Sequence, residues 1–292
     1  MNIKNKNADK IIDVVIDTDT YNEVDDQFAV TYALLSKESI NVRAVYAAPF
    51  LNKKSSSAKD GMEKSYEEII KLFSMLSLDS SNLVFTGSED FLASEDSYQE
   101  SSAARHLVDL VLNSDKKIYV IAIAAITNIA SAILMNPKIT ENMVVIWLGG
   151  HDYHSIKKNE FNLRQDISAA RVVFDSGVEL IQIPCNGVAS HLITTTAELE
   201  KFIDGKSPIG TYLTDIVRKC ENDVYAYSRV IWDISAVGWI INNEWVPTIE
   251  QKCPIITNNL EYLINENRHT IKKAIAVDRD SIFSDMFKKL TL

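Results

Sequence analysis

Residues 11–26 read IIDVVIDTDTYNEVDD, an apolar segment that runs directly into a group of acids. The first part is β-branched and bounded by polar residues, which is the pattern of a buried strand. Four aspartates follow within a short distance: Asp17, Asp19, Asp25 and Asp26. A run with helical spacing then begins at Gln27 and continues to Leu35. The sequence therefore predicts a strand, an acidic turn and a helix in immediate succession.

Two explanations fit these acids. Helix N-termini favour negative charge, and Asn22 fits an N-cap with Asp25 reaching back to it, so some of the carboxylates need no ligand. Asp19 is harder to explain in this way, because like charges crowded at a strand end repel one another unless a cation lies between them. Carboxylate oxygens are hard ligands that suit Ca²⁺ or Mg²⁺ better than zinc. We therefore predict a metal site in this turn.

Size and composition limit the class of protein. A chain of 292 residues with 46% hydrophobic content can bury a large core, and we expect a single domain over residues 1–292. The net charge of −10 argues against nucleic-acid and anionic-membrane partners. The three cysteines lack metal-ligand spacing, and residues 1–10 contain no apolar signal-peptide core. We expect a cytoplasmic protein with buried thiols.

Strands and helices alternate from residue 11 to residue 183, which predicts parallel strands joined by right-handed crossovers. We therefore expect an α/β fold with a doubly wound, open, mostly parallel sheet and a Rossmann-like core. Beyond Thr194 the pattern becomes mostly helical, with short strands expected around Thr248 to Gln251 and Pro254 to Thr257. Such sheets bind ligands at the carboxyl ends of their strands. Four chemically interesting segments are predicted to meet at that edge: the acidic turn, Ile123, Gly149-Gly150 and Cys185-Asn186-Gly187.

The motif Asp17-Thr18-Asp19-Thr20 is compatible with two different classes of enzyme. One is a Mg²⁺-dependent phosphatase of the haloacid-dehalogenase type, in which Asp17 would be the nucleophile. The chain has no clear partner lysine or later acidic pair for that mechanism. The other enzyme uses the whole acidic turn, together with motifs further along the chain.

The whole turn resembles the opening of the nucleoside hydrolase family, whose usual form is Asp-x-Asp-Pro-Gly-x-Asp-Asp. The turn here is longer and lacks Pro-Gly. Four later segments match that family in the same order: Ala125-Ile126-Thr127-Asn128-Ile129-Ala130, Trp147-Leu148-Gly149-Gly150, Asn159-Glu160-Phe161-Asn162 with Asp166, and Trp232-Asp233 with Ala236-Val237. The resemblance spans residues 11–290 and implies the nucleoside hydrolase fold.

The resemblance also implies roles for individual residues. Asp19, Asp26, Asp233 and the backbone carbonyl of Ile123 would bind Ca²⁺, and Asp19 would be the general base that takes a proton from the attacking water. The remaining implied roles are contacts to the ribose hydroxyls by Asp25, Asn52, Glu160 and Asn162. Glu160 and Asn162 have a simpler explanation as loop caps. The implied reaction is Ca²⁺-dependent hydrolysis of the N-glycosidic bond of ribonucleosides to free base and ribose.

Trp232 stands where many family members have a histidine thought to protonate the leaving base. An indole cannot act as an acid, but it can stack on a purine, so the resemblance points to a purine-preferring enzyme. Trp232 as ordinary core filling is the alternative. Family members are dimers or tetramers, so we expect a homo-oligomer. A nucleoside-binding protein without turnover is the non-catalytic alternative.

Overall fold

The computed structural model describes residues 11–221 and 224–291. Within them the strands are β1 (Ile12–Thr18), β2 (Ile40–Ala47), β3 (Val84–Thr86), β4 (Ile118–Ala122), β5 (Met143–Leu148), β6 (Glu179–Ile183), β7 (Ile193–Thr194), β8 (Arg229–Val230), β9 (Thr248–Lys252), β10 (Ile255–Ile256), β11 (Tyr262–Leu263) and β12 (Thr270–Ala274). The helices are α1 (Asp25–Leu35), α2 (Ala58–Met75), α3 (Ser102–Leu112), α4 (Thr127–Met135), α5 (Phe161–Gln165), α6 (Ile167–Asp175), α7 (Thr196–Phe202), α8 (Pro208–Arg218), α9 (Ile234–Ile241) and α10 (Arg279–Leu290). Short 3-10 helices cover Pro137–Asn142, Ala189–His191 and Asn243–Trp245.

Eight strands form one central sheet in the order β3-β2-β1-β4-β5-β6-β12-β9. Neighbours from β3 to β12 pair in parallel, and only β9 is antiparallel to its neighbour. Successive residues of β1 point to opposite faces, so Val14 and Ile16 enter one hydrophobic core while Val15 enters the other. Helices cover both faces, which is why these strands are apolar throughout. The predicted doubly wound, mostly parallel sheet is confirmed.

The strand order reverses between β1 and β4, so the connections after these strands leave in opposite directions. This is the point at which open α/β sheets bind ligands, because a crevice opens beyond the carboxyl ends of the strands. The acidic turn follows β1, and Ile123 directly follows β4. The topology thus brings the two segments together at one edge of the sheet.

The C-terminal part contains helices, as predicted, but it also extends the sheet. β12 lies between β6 and β9, parallel to the first and antiparallel to the second. The sequence analysis did not identify this strand, because its residues TIKKA include two lysines and no long apolar run. The prediction of a mostly helical C-terminal part was therefore incomplete.

The start of α1 differs from the predicted capping arrangement. The helix begins at Asp25 with Val24 in the N-cap position, and no side chain caps it. Asn22 instead lies in a turn, where its backbone N–H donates to the Asp19 carbonyl at 2.7 Å. The predicted Asn22 cap and Asp25 capping box are wrong. Since Asp25 is not occupied by capping, its carboxylate remains available to a ligand.

The cysteines and the helices complete this description. Cys185 and Cys253 are buried free thiols, as the sequence predicted, and Cys220 is a half-buried one. None of the helices that the structure describes is long and apolar enough to cross a bilayer. Residues 1–10, in which the sequence predicts no signal-peptide core, lie outside the described residues.

Candidate active site

A cavity of about 180 Å³ lies beyond the carboxyl ends of β1, β4, β5 and β6. Its lining is rich in acids, and the carboxylates that reach it are Asp19, Glu23, Asp25, Asp26, Glu160 and Asp233. Other lining residues are Ile123, Leu148, His151, Asn159, Phe161, Asn162, Cys185 and Trp232, together with Asn22. Segments more than two hundred residues apart in the chain therefore share one small space.

The structure places every site residue singled out from the sequence in this lining except Asn52. The Asn52 side chain donates from Nδ2 to Oδ1 of Asn22 at 2.6 Å, and Asn22 does line the cavity. Asn52 therefore lies one residue behind the cavity wall rather than in it.

Four of the acids form a compact buried group. Asp25 and Asp26 occupy the first turn of α1, and Asp233 precedes α9 without capping it. One carboxylate oxygen from each of these three residues lies within 4.8 Å of the others. The tightest cluster thus contains Asp25 in the place that the sequence analysis gave to Asp19. Asp19 belongs to the group electrostatically, because after burial the charges of Asp26 and Asp25 are the next causes that raise the pKa of its carboxyl.

Burial and mutual repulsion make this group costly to ionise without a counter-charge. Burial, followed by neighbouring carboxylates, raises the pKa of Asp26 to about 8 and that of Asp25 to about 6. The same two causes raise the pKa values of Asp19 and Asp233 well above the usual range for aspartate. Arg229 acts in the opposite direction on Asp25, but its effect is smaller than that of burial.

The group has the properties of a site for a hard divalent cation. Oδ2 of Asp19 and Oδ1 of Asp25 are buried and have no hydrogen-bond partner among the described residues. Such oxygens are costly to bury unless a ligand satisfies them. A doubly charged cation would satisfy them and would also offset the repulsion between the four acids. Asp19, Asp25, Asp26 and Asp233 therefore fit a metal of the Ca²⁺ or Mg²⁺ class.

Glu160 and Asn162 line the cavity at the start of α5. Glu160 accepts backbone N–H groups of Asn162 at 2.9 Å and Leu163 at 2.8 Å, so it caps α5, and it also accepts the Gly150 N–H at 2.7 Å. Asn162 donates from Nδ2 to the Leu148 carbonyl at 3.0 Å, which leaves its Oδ1 as the atom available to a ligand. Glu160 therefore does cap α5, and hydrogen bonds to the backbone hold the side chains of both Glu160 and Asn162 in place.

Asp17 is excluded from the cavity. Its side chain is fully buried, it is not among the lining residues, and its Oδ1 accepts a hydrogen bond from Nδ2 of Asn128 at 2.8 Å. Burial raises the pKa of Asp17 to about 7, while the Asn128 hydrogen bond lowers it. A nucleophile must reach its substrate, so this position contradicts the phosphatase hypothesis.

Comparison with known proteins agrees with the motifs and the site. The family model described as inosine-uridine preferring nucleoside hydrolase matches residues 14–284. This chain belongs to the nucleoside hydrolase family. The family and the enzyme class expected from the sequence are thereby confirmed. Nucleoside hydrolases are metal-dependent enzymes, and the acidic cluster is where a metal would bind in this one.

Individual relatives match different shares of this nucleoside hydrolase. The pyrimidine-specific ribonucleoside hydrolase RihB of Escherichia coli is 26% identical over 168 residues, which are 55% of this chain and 53% of that protein. The chain thus spans about half the length of the curated relatives of this kind. The structure of a purine-preferring ribonucleoside hydrolase from Gardnerella vaginalis has a TM-score of 0.77 at 18% identity and covers 96% of this chain and 98% of that one. An inosine-uridine preferring nucleoside hydrolase from Bacillus anthracis has a TM-score of 0.71 at 14% identity, covering 96% and 99%. These two structures confirm the nucleoside hydrolase fold.

Seven lining residues of this nucleoside hydrolase were not predicted as site residues, and His151 and Cys185 are two of them. His151 lies in the loop after β5, and its Nδ1 accepts the Asn186 N–H at 3.2 Å, which fixes the ring in the cavity wall. Burial lowers the pKa of His151. Cys185 follows β6, and burial beside Glu160 raises the pKa of its thiol, so it is not a nucleophile. Both lie two or three residues beyond the end of a strand, and this signal had already placed the Cys185 segment at this edge of the sheet.

Proposed function

We propose that this protein is a Ca²⁺-dependent nucleoside N-ribohydrolase that cleaves the N-glycosidic bond of ribonucleosides to free base and ribose. The observation that carries the proposal is the buried carboxylate cluster with unpartnered oxygens at the switch point of the sheet. A cluster of this kind binds a hard cation and places negative charge where a ribosyl ring develops positive charge.

The proposed ligands of the cation are Asp19, Asp26, Asp233 and the carbonyl oxygen of Ile123. Asp25 completes the acidic group, because its Oδ1 is buried without a partner among the described residues. When bound, Ca²⁺ would orient the ribose diol and a water molecule and offset the charge of the carboxylates. Asp19 follows β1 and Ile123 follows β4, while Asp26 lies in the first turn of α1 and Asp233 directly precedes α9, so the fold itself sets their spacing.

In the proposed reaction, Oδ2 of Asp19 accepts a proton from the attacking water as the water oxygen bonds to C1′. The electron pair of the N-glycosidic bond leaves with the base, to which solvent supplies a proton. The transition state resembles the oxocarbenium-like states of glycosidases, and the neighbouring carboxylates stabilise its charge. Asp25 accepts a hydrogen bond from a ribose hydroxyl, and Glu160 and Asn162 hold the remaining hydroxyls. Since several hydrogen bonds recognise these hydroxyls, ribosides are preferred over deoxyribosides.

The proposed preference for purines depends on Trp232. The indole is half-buried and packs against the hydrophobic core, but it also lines the cavity next to the buried Asp233, so part of the ring is available to stack on the base. Stacking favours the larger purine ring. The Escherichia coli relative is named as pyrimidine-specific and the Gardnerella vaginalis structure as purine-preferring, so relatives of both kinds exist.

The test is a panel of inosine, adenosine, guanosine, uridine and cytidine, with release of base followed by chromatography and ribose by a reducing-sugar assay. We expect hydrolysis that depends on added Ca²⁺, and a loss of about 10³-fold in kcat for Asp19→Asn. Asp13→Asn is the matched control, since it alters an aspartate of β1 that lies outside the cavity. No release from any riboside would refute the proposal. Thermal stabilisation by nucleosides without release would instead support the non-catalytic binding protein.

We also propose that the protein is a cytoplasmic homo-oligomer. Its three free cysteines suit a reducing compartment. Light scattering coupled to size-exclusion chromatography tests the oligomeric state. The expected mass is two or four times the 32.8 kDa of one chain, and a mass of one chain would contradict the proposal.

A further inference from the structure

Asn128 is a buried residue of α4 that does not line the cavity, yet all its side-chain hydrogen-bonding positions are used. The residue is 0% exposed. Nδ2 donates to Oδ1 of Asp17 at 2.8 Å and to the Ala47 carbonyl at 3.3 Å. Oδ1 accepts from the backbone N–H of Ser88 at 2.7 Å and from its hydroxyl at 2.8 Å. A buried amide that is fully satisfied holds its partners in one arrangement.

The partners of Asn128 are the carboxyl ends of three adjacent strands. Asp17 belongs to β1, Ala47 is the last residue of β2, and Ser88 lies just beyond β3. The approach is close enough to require glycine at position 87, because a Cβ there would lie 2.0 Å from the Ala47 carbonyl and 2.5 Å from Nδ2 of Asn128. One side chain thus ties the edge of the sheet to the start of α4.

The same residue lies directly behind the proposed cation ligands. Asp17 precedes Asp19 by two residues, and the carbonyl of Asp17 accepts the backbone N–H of Ile123 at 2.9 Å. Asp17 is therefore held at its backbone by the Ile123 segment and at its side chain by Asn128. These two contacts fix the end of β1 against the end of β4. The carboxylate of Asp19 and the carbonyl of Ile123 lie on these two strand ends.

We propose that Asn128 is a positioning residue of the cation site, which sets the spacing between Asp19 and the Ile123 carbonyl. This inference rests on the proposed function, since it assumes that these groups share a cation. Side chains behind metal ligands commonly act in this way, and their loss lowers metal affinity by about 10- to 100-fold.

The experiment is calcium titration by calorimetry of the full-length, metal-stripped protein well below its Tm, with the Tm of the same samples as a second readout. We expect Asn128→Ala to weaken calcium binding by at least about tenfold. The matched control is Thr127→Val, which removes a buried 2.8 Å hydrogen bond to Asp166 from the same turn of α4. The control should lower the Tm and leave calcium affinity unchanged.

A second pair of variants covers the case in which Asn128→Ala does not fold. Asn128→Asp removes the donor that Asp17 needs, and adding Asp17→Asn in the same chain supplies a donor from the other side. We expect calcium affinity to fall in the single variant and to recover in the double variant. The proposal is overturned if Asn128→Ala, or Asn128→Asp where the alanine variant does not fold, binds calcium as tightly as the wild type. A wild-type protein that binds no calcium would overturn the cation site itself, and the positioning role with it.

Discussion

Trp232 is the residue of the cavity wall that most directly concerns the choice of base. Because an aromatic contact contributes about 0.5–1.5 kcal/mol beyond the area it buries, we expect Trp232→Ala to lower kcat/KM for inosine by about tenfold. Trp232→Phe should retain most of the activity, since a second aromatic ring can still stack. Steady-state kinetics with inosine and uridine provide the measurement. Equal losses for both substrates, or no loss for either, would contradict a stacking role in purine preference.

Asp17 gives a prediction about stability rather than activity. Its pKa is raised by burial to about 7, against about 3.9 in an unfolded chain. Between these values the folded state binds the proton more tightly, so the free energy of unfolding attributable to Asp17 falls as the pH rises from about 4 to 7. Asp17→Asn removes this contribution and should flatten the dependence of stability on pH. Urea unfolding of the metal-stripped proteins at pH 5 and pH 7.5 tests this, and identical slopes for both proteins would contradict it.

At the scale of elements, the segment from 151 to 159 forms part of the cavity wall and is fastened to the sheet at its start. Asp152 forms an ion pair with the buried Lys273 of β12 at 2.7 Å. The Lys273 ammonium also lies 4.7 Å from the centre of the Tyr153 ring. The Tyr153 hydroxyl donates to Oε1 of Gln182 on β6 at 2.9 Å. The strand that the sequence analysis did not identify thus helps to hold the segment that carries His151.

We expect Lys273→Met to loosen this segment, because methionine fills similar volume but cannot pair with Asp152. The KM for ribosides should rise several-fold while kcat changes little, since the carboxylate cluster is untouched. Lys272→Met is the matched control on the same strand, because its ion pair with Glu179 is exposed and contributes little. Steady-state kinetics of both variants test the prediction. Equal KM values for the two variants would contradict it.

Much of the architecture could be predicted from strands that are buried on both faces. The continuous apolar run Met143 to Leu148 matches β5, and the helical pattern Thr127 to Met135, stopped by Pro137, matches α4, because both are strong local signals. β12 and α5 could not be predicted, since a polar strand and a five-residue helix depend on tertiary contacts rather than on local pattern. The start of α1 was wrong for a related reason, because the turn after Asp19 closes through its own backbone.

At the scale of the whole molecule, the site could be predicted to the extent that topology brings strand ends together. Sheet topology linked Asp19 and Ile123 before the structure was known, and the family motifs added Asp233. The cluster of Asp25 with Asp26 and Asp233 could not be predicted, because the directions of side chains in a turn depend on tertiary packing. Asn52 shows the same limit, since its side chain bonds to Asn22 behind the cavity wall.

Calcium should stabilise the whole fold, because the proposed ligands join segments as far apart in the chain as Asp19 and Asp233. At a concentration 100 times the Kd, binding to the folded state alone adds about 2.7 kcal/mol. We therefore expect calcium to raise the Tm of the metal-stripped protein by a few degrees, and Asp233→Asn to lose most of that rise. Asp13→Asn should keep it. Scanning calorimetry tests this, and a rise of equal size in the Asp233 variant would place calcium elsewhere.

The most direct measurement is a crystal structure of the protein grown with calcium, with anomalous scattering used to locate the ion. The account predicts one calcium ion at about 2.3–2.6 Å from carboxylate oxygens of Asp19, Asp26 and Asp233 and from the carbonyl oxygen of Ile123. A well-ordered cavity without an ion between these groups, or an ion bound only at another part of the surface, would contradict it.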